Sequence, residues 1–218
     1  MRKNRQMSES FLLCGILAIS GGFQDAYTYY IRDKVFSNAQ TGNVVLMSQH
    51  IMSGEWTRGL YYLVPLLAFM GGIIVAEQIQ AKYKESDRFH WRQLVVLLEI
   101  ITLSLVGIIP YKYNMIATMM VSFSCSMQVQ TFRKVNGYGY ASTMCIGNLR
   151  SGTEALSVYI REHNREQIRK FAYYFSIIFL FAIGAGMGGI LSLHFGIHTI
   201  WITNLFLFTV FLLMMRES

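Results

Sequence analysis

The sequence predicts an all-α membrane protein with six transmembrane helices plus two re-entrant or broken helices, arranged as an inverted repeat. Three observations predict it. Only 14% of the 218 residues are charged while 53% are apolar, against about 25% charged in an ordinary soluble domain. Residues 171–215 run for 45 positions without an Asp, Glu, Lys or Arg, enough for two spans of about 20 residues each. Two further uncharged segments are too polar to face lipid, and they sit at equivalent places in the two halves of the chain.

The first span covers 8–31, after the basic residues Arg2, Lys3 and Arg5. A signal peptide has the same opening pattern; with no small-x-small cleavage site ahead of a soluble domain, a retained helix is expected. Residues 59–76 and 113–132 are uncharged, and 93–111 is apolar except for Glu99. The last two spans meet at a short break around His194 to His198.

The segments 35–54 and 135–153 read differently. The first holds nine apolar residues in twenty and clusters Asn38, Gln40, Thr41, Gly42 and Asn43; the second is rich in Gly, Asn, Ser and Thr. Such backbone survives at membrane depth only inside protein or along a water-filled cavity, so both are expected to dip in and return. Charge supports the count. With six crossings and cytoplasmic termini, fourteen Lys and Arg lie inside and four (Arg32, Lys34, Arg58, Lys112) outside; with eight crossings the split falls to ten and eight. The positive-inside bias favours six.

Each half, about 8–111 and 113–215, then has the order span, polar dip, span with paired glycines, span. Gln24 precedes Gly42-Asn43 by 18 residues and Gln128 precedes Gly147-Asn148 by 19, and the pairs Gly71-Gly72 and Gly188-Gly189 follow. Three crossings per half invert the second half relative to the first. Small residues four apart, Ala18-Gly22-Ala26, Ala68-Gly72-Ala76 and Gly184-Gly188, suit close helix packing.

The stretches GGFQDAYTYY at 21–30, VFSNAQTGN at 35–43, SMQVQ at 126–130 and IGN at 146–148 resemble the YoaK family of bacterial multi-pass membrane proteins of unknown function. The resemblance rests on Asp25, Phe36, Thr41, Gly42 and Asn43, and covers essentially the whole chain. It departs in the second half, where Ser126 replaces a usual Gly, Val129 an Asn, and Ile146 a Thr. It implies the bacterial cytoplasmic membrane as location and implies no reaction.

Asp25 is the sharpest functional signal, since a carboxylate within a span costs about 2.5 to 3.5 kcal/mol on insertion scales and by default marks an ion path or proton relay. A structural carboxylate bonded across helices is the alternative. Thr41-Gly42-Asn43 is expected to open a half-helix whose free N–H groups suit an anion or a carboxylate, with Gly147-Asn148 as its counterpart; plain capping is the alternative. Gln24 and Gln128 complete the candidate set. Glu99 is expected to pair with a neighbour such as Gln128, and Arg150 with Glu154. His194 and His198 have two-ligand spacing, but no third ligand lies within ten residues, so no metal is expected. Cys14, Cys125 and Cys145 read as apolar fillers.

No nucleotide-binding, hydrolase or zinc-protease motif occurs, so neither an enzyme nor a cofactor is expected. The net charge of +7 reflects topology and not nucleic acid. The expected partner is the lipid bilayer, with a small solute or ion passing between the inverted halves; a non-transporting scaffold or sensor is the alternative.

Overall fold

A computed structural model describes residues 7–85 and 90–215. Arg2, Lys3, Arg5, Arg88 and Arg216, five of the expected topology determinants, lie outside the described residues. Within them the chain is all-α: α1 Phe11–Ile31, α2 Gln40–Met52, α3 Trp56–Tyr83, α4 Trp91–Val106, α5 Asn114–Thr131, α6 Cys145–Glu162, α7 Arg165–Phe195 and α8 Trp201–Met215, with one hairpin of β1 Lys134–Val135 and β2 Tyr138–Gly139.

Every expected span coincides with a helix. Two runs are long and apolar enough to cross a membrane by themselves: Trp56–Tyr83, and the run Arg165–Met215 made by α7, a 3-10 turn and α8. Only 28% of each apolar window is buried, so these helices turn most of their apolar surface outward. The helices at the other expected spans, α1, α4 and α5, have 21, 16 and 18 residues.

Local chemistry places the breaks. Ser10 caps α1, its hydroxyl accepting from the Leu13 N–H at 3.3 Å. After α1 the chain reverses through Asp33 and Lys34, both at φ 58°, a left-handed conformation that costs non-glycine residues energy and persists only where neighbours enforce it. The expected break near 194–198 is a 3-10 turn entered through Gly196 at φ 59°. The segment 135–153 opens differently from expectation, as a hairpin turned by Asn136-Gly137 with both residues at positive φ. That dipeptide is the preferred two-residue hairpin turn. Its strand residue Val135 packs with Tyr140, Cys14, Tyr174 and Ile177, between α1 and α7.

The packing exchanges partners between the halves. α1 packs chiefly on α7 and α5 chiefly on α3, while α2 lies on α3, α6 on α7 and α4 on both α5 and α8. Glycines make the two main contacts. A Cβ on Gly184 would strike the Ile19 backbone of α1, and one on Gly72 the Phe123 backbone of α5. Ile19 and Phe123 each stand five residues before their half's glutamine, Gln24 and Gln128. The contact geometry thus matches Gly72 with Gly184, rather than the pair Gly71-Gly72 with Gly188-Gly189.

Polarity is distributed inside out. Ser20, Gln24, Arg32, Asn43, Glu99, Ser122, Ser124 and Gln128 are at most 1% exposed, whereas Leu193, Leu205 and Phe179 are 68%, 67% and 66% exposed. Water would penalise both halves of that arrangement; a hydrocarbon surround accounts for the second, and interior hydrogen bonds for much of the first.

Candidate functional site

The centre is built by the second half of α1 and the second half of α5. Residues 20–28 and 124–128 are buried without interruption, and they are the polar parts of their helices. Asp25 projects from α1 onto the linker ahead of α2. Its Oδ1 accepts from Ser37 Oγ at 3.1 Å and from the Asn38 backbone N–H at 2.8 Å. Asn38 Nδ2 donates to the Gly21 carbonyl at 3.1 Å, and Ser37 O accepts from Ser122 Oγ of α5 at 2.9 Å. One carboxylate therefore organises the first linker against both central helices. Beside it, Gln24 donates to Ser20 Oγ at 3.1 Å and accepts from Cys125 Sγ at 2.8 Å.

The second linker meets α5 in the same manner with the hydrogen-bond direction reversed. Gln128 Nε2 donates to Ser142 Oγ at 2.8 Å and to the Leu17 carbonyl of α1 at 3.2 Å. The absence of a side chain at Gly21 makes room here: a Cβ there would strike the Thr143 side chain. Each linker is tied to its own following helix by one asparagine. Asn43 Nδ2 donates to the Phe36 carbonyl at 2.9 Å and Asn148 Nδ2 to the Ala141 carbonyl at 2.7 Å, each seven residues back. Ser37 and Ser142 both stand six residues before these asparagines.

Of the expected site residues, Gln24, Asp25, Asn43, Gln128 and Asn148 are buried at this centre. Thr41 and Gly147 face outward and Gly42 is half-buried. The helix starts also differ from expectation: Ala39 and Met144 hold the cap positions of α2 and α6, and neither helix has a side-chain cap bond. Asn43 and Asn148 act instead as staples that fold the linkers back. The half-helix N-terminus expected to hold an anion does not present Thr41 or Gly147 to the interior.

Glu99 corrects a second expectation. It is fully buried in α4 and both carboxylate oxygens are without a hydrogen-bond partner, while Gln128 is engaged elsewhere. Asp25 and Glu99 both lie within electrostatic reach of Cys125. Arg150 and Glu154 are exposed on α6. His194 Nδ1 lies 2.8 Å from the Ile190 carbonyl, His198 lies tilted against Trp201 with ring centroids 4.9 Å apart, and no group of three metal-ligating side chains occurs among the described residues.

Arg32 is the residue the sequence concealed. Expected in an outer loop, it is wholly buried. Its Nε donates to Tyr27 OH at 3.0 Å, one terminal nitrogen to Ile109 O and Asn114 Oδ1, both at 2.9 Å, and the other to Val106 O at 3.0 Å. The guanidinium thus satisfies carbonyls at and just beyond the C-terminal end of α4, where helix carbonyls are unpaired and the dipole is negative. Its counter-charge arrives by relay, since Asn114 Nδ2 donates to Asp33 Oδ1 at 2.8 Å and Tyr61 donates to Asp33 Oδ2 at 2.8 Å. The left-handed turn at Asp33 is what delivers that carboxylate. On the exposed turn between α2 and α3, a hydrogen bond from His50, helped by Arg58, holds the Glu55 carboxyl below its ordinary range.

A family described as a protein of unknown function, DUF1275, matches residues 13–213. The chain is 23% identical over 207 residues to the UPF0700 transmembrane protein YoaK of Bacillus subtilis (strain 168), covering 91% of each. No solved structure matches.

Proposed function

On the premise that this chain belongs to the DUF1275 family, whose function is unknown, we propose that it is a multi-pass membrane protein that moves a small solute or ion between two oppositely inserted halves. In this reading α1, α3, α4, α5, α7 and α8 cross the bilayer, and α2 and α6 enter and return. Both termini are cytoplasmic. No chemical step is catalysed.

The exchanged packing supports the inverted repeat, because a two-fold relation between halves requires α1 on α7 to accompany α5 on α3. The matched asparagine staples and the matched contacts of Gly72 and Gly184 support it independently. With Arg32 sequestered from the outer loops, the positive-inside asymmetry becomes steeper than the raw count. The single observation that carries transport is Asp25, a carboxylate lodged where the linker of one half meets the central helix of the other.

Purified protein reconstituted in vesicles tests it. Imposed Na⁺, K⁺ or proton gradients are expected to drive flux that Asp25→Asn abolishes while the variant stays folded and inserted. Flux in wild type that Asp25→Asn leaves intact removes Asp25 from the pathway, and absence of flux under every gradient overturns transport. Closure of the centre, with Gln24, Asn43 and Gln128 at most 1% exposed, favours the second reading, a non-transporting scaffold or sensor; within the transport reading it corresponds to an occluded state.

A further inference from the structure

Three buried amide side chains at the centre, Asn38, Asn43 and Gln128, each leave an oxygen unused, and two of them, Asn38 and Gln128, reach the same strip of α1. Asn38 is 6% exposed and Gln128 1%, and neither Asn38 Oδ1 nor Gln128 Oε1 has a hydrogen-bond partner among the described residues. Their orientations are not interchangeable. Each amide nitrogen donates to a backbone carbonyl, Gly21 O for Asn38 and Leu17 O for Gln128. Rotating either amide would set oxygen against oxygen.

The pattern has a direction. Leu17, Gly21 and Asp25 are four apart and form one stripe along two turns of α1. An amide from the first linker and an amide from α5 grip successive carbonyls of that stripe, and the Asp25 carboxylate closes it. Two orphan acceptors and one carboxylate thus share a single strip of helix, with the hydroxyl residues Ser37 and Ser142 alongside. Buried acceptors without donors are costly, and an assembly of them on one strip calls for a positively charged occupant. Arg32, the buried cation seven residues along, spends its donors on Tyr27, Val106, Ile109 and Asn114.

We propose that Asp25, Asn38 and Gln128 form a binding site for a dehydrated monovalent inorganic cation. The charge matches, since one carboxylate and two neutral amides balance one positive charge, whereas Ca²⁺ and Mg²⁺ sites gather hard oxygen ligands with more carboxylate or phosphate charge. The enclosure matches too, because side chains no more than 8% exposed leave no opening for a large organic cation. Carbonyl-type oxygens would replace the hydration shell, as in ion filters. The inference deepens the transport reading by naming the class of cargo or coupling ion, and rests on that reading for the ion's role but not for its binding.

The test is thermal unfolding of the purified full chain in detergent, with NaCl or KCl exchanged against choline chloride at constant ionic strength. Wild type is expected to gain a saturable rise in unfolding midpoint with Na⁺ or K⁺ and none with choline. Asp25→Asn should remove the saturable component, and Gln128→Met should shift its half-maximal concentration at least tenfold. Equilibrium binding of ²²Na⁺ or ⁸⁶Rb⁺ to wild type, displaced by unlabelled ion, tests the site without any variant. Coincident curves in all three salts with no displaceable radioligand would overturn the site and leave the orphan oxygens to buried water. Saturable stabilisation that survives both substitutions in folded protein overturns it as well. Binding without vesicle flux keeps this site and sinks transport; flux without binding does the reverse.

Discussion

Arg32 and Phe132 cap the C-terminal ends of the two central helices, eight and four residues after Gln24 and Gln128, and both are sealed from solvent at 0% and 1% exposure. One carries a charge that ties α4, Asn114 and Asp33 together; the other packs as an ordinary member of the main apolar cluster. The same contrast recurs one step inward, where Asp25 accepts from Ser37 and Gln128 donates to Ser142. Exchanged helix packing, glycine contacts and asparagine staples are common to both halves. Among the described residues, buried charged side chains (Asp25, Arg32 and Glu99) belong to the first half alone. Under the proposed inverted repeat, a scaffold that keeps its buried charges in one half would have a polar direction even at its centre, as a directed ion or solute site requires.

That comparison breaks most visibly at Arg32. Arg32→Met should cost about 3 kcal/mol or more, because it removes four hydrogen bonds at once and leaves Ile109 O and Asn114 Oδ1 without that donor, whereas Phe132→Leu should cost about 1 kcal/mol. Thermal unfolding of both variants in detergent checks the difference; equal losses would show that the charge contributes nothing beyond packing.

The shared scaffold is sharpened by paired substitutions. Gly72→Val and Gly184→Val each force a side chain into a helix backbone and should each destabilise by about 2 to 3 kcal/mol, with midpoints falling together. A large loss at one and none at the other would end their equivalence. Asn43→Ala and Asn148→Ala each remove two part-buried hydrogen bonds and should each cost about 1 to 2 kcal/mol, again by similar amounts.

The smallest expected effect lies outside the core. Glu55 is held below its usual range in the folded chain, so its contribution is present above the unfolded carboxylate range and fades as pH falls through the depressed folded value. A midpoint profile from pH 7 downward should therefore show a slight loss in wild type, beginning only once pH enters the ordinary carboxylate range, that Glu55→Gln lacks. Overlapping profiles would leave the His50–Glu55 pair with no measurable weight, as is common for exposed pairs.

The sequence made the helices legible because runs of uncharged residues have few alternatives, and it singled out Asp25 because a lone carboxylate among Gly, Phe, Ala and Tyr is conspicuous. Arg32 was not legible. A basic residue just past a span is the usual mark of a solvated loop, and only the left-handed turn at Asp33-Lys34 folds it inward. Thr41 and Gly147 fell on the wrong face because successive helix positions rotate by about 100°, so a motif names a turn but not which residue enters the core. Asn136-Gly137 is a hairpin-turn signal, but in a segment so rich in Gly, Asn, Ser and Thr it does not stand out. Glu99 lies within a helix as expected, but its isolation depends on neighbours no single chain segment reveals.

The relation between the halves can be measured at one pair of exposed positions. Arg58 and Arg169 stand near the starts of α3 and α7, so inversion puts them on opposite faces of the membrane. In a cysteine-free background, Arg58→Cys should react with a membrane-impermeant maleimide on intact cells and Arg169→Cys only after permeabilisation. Labelling of both from the same side would contradict the inverted arrangement and the pathway drawn from it.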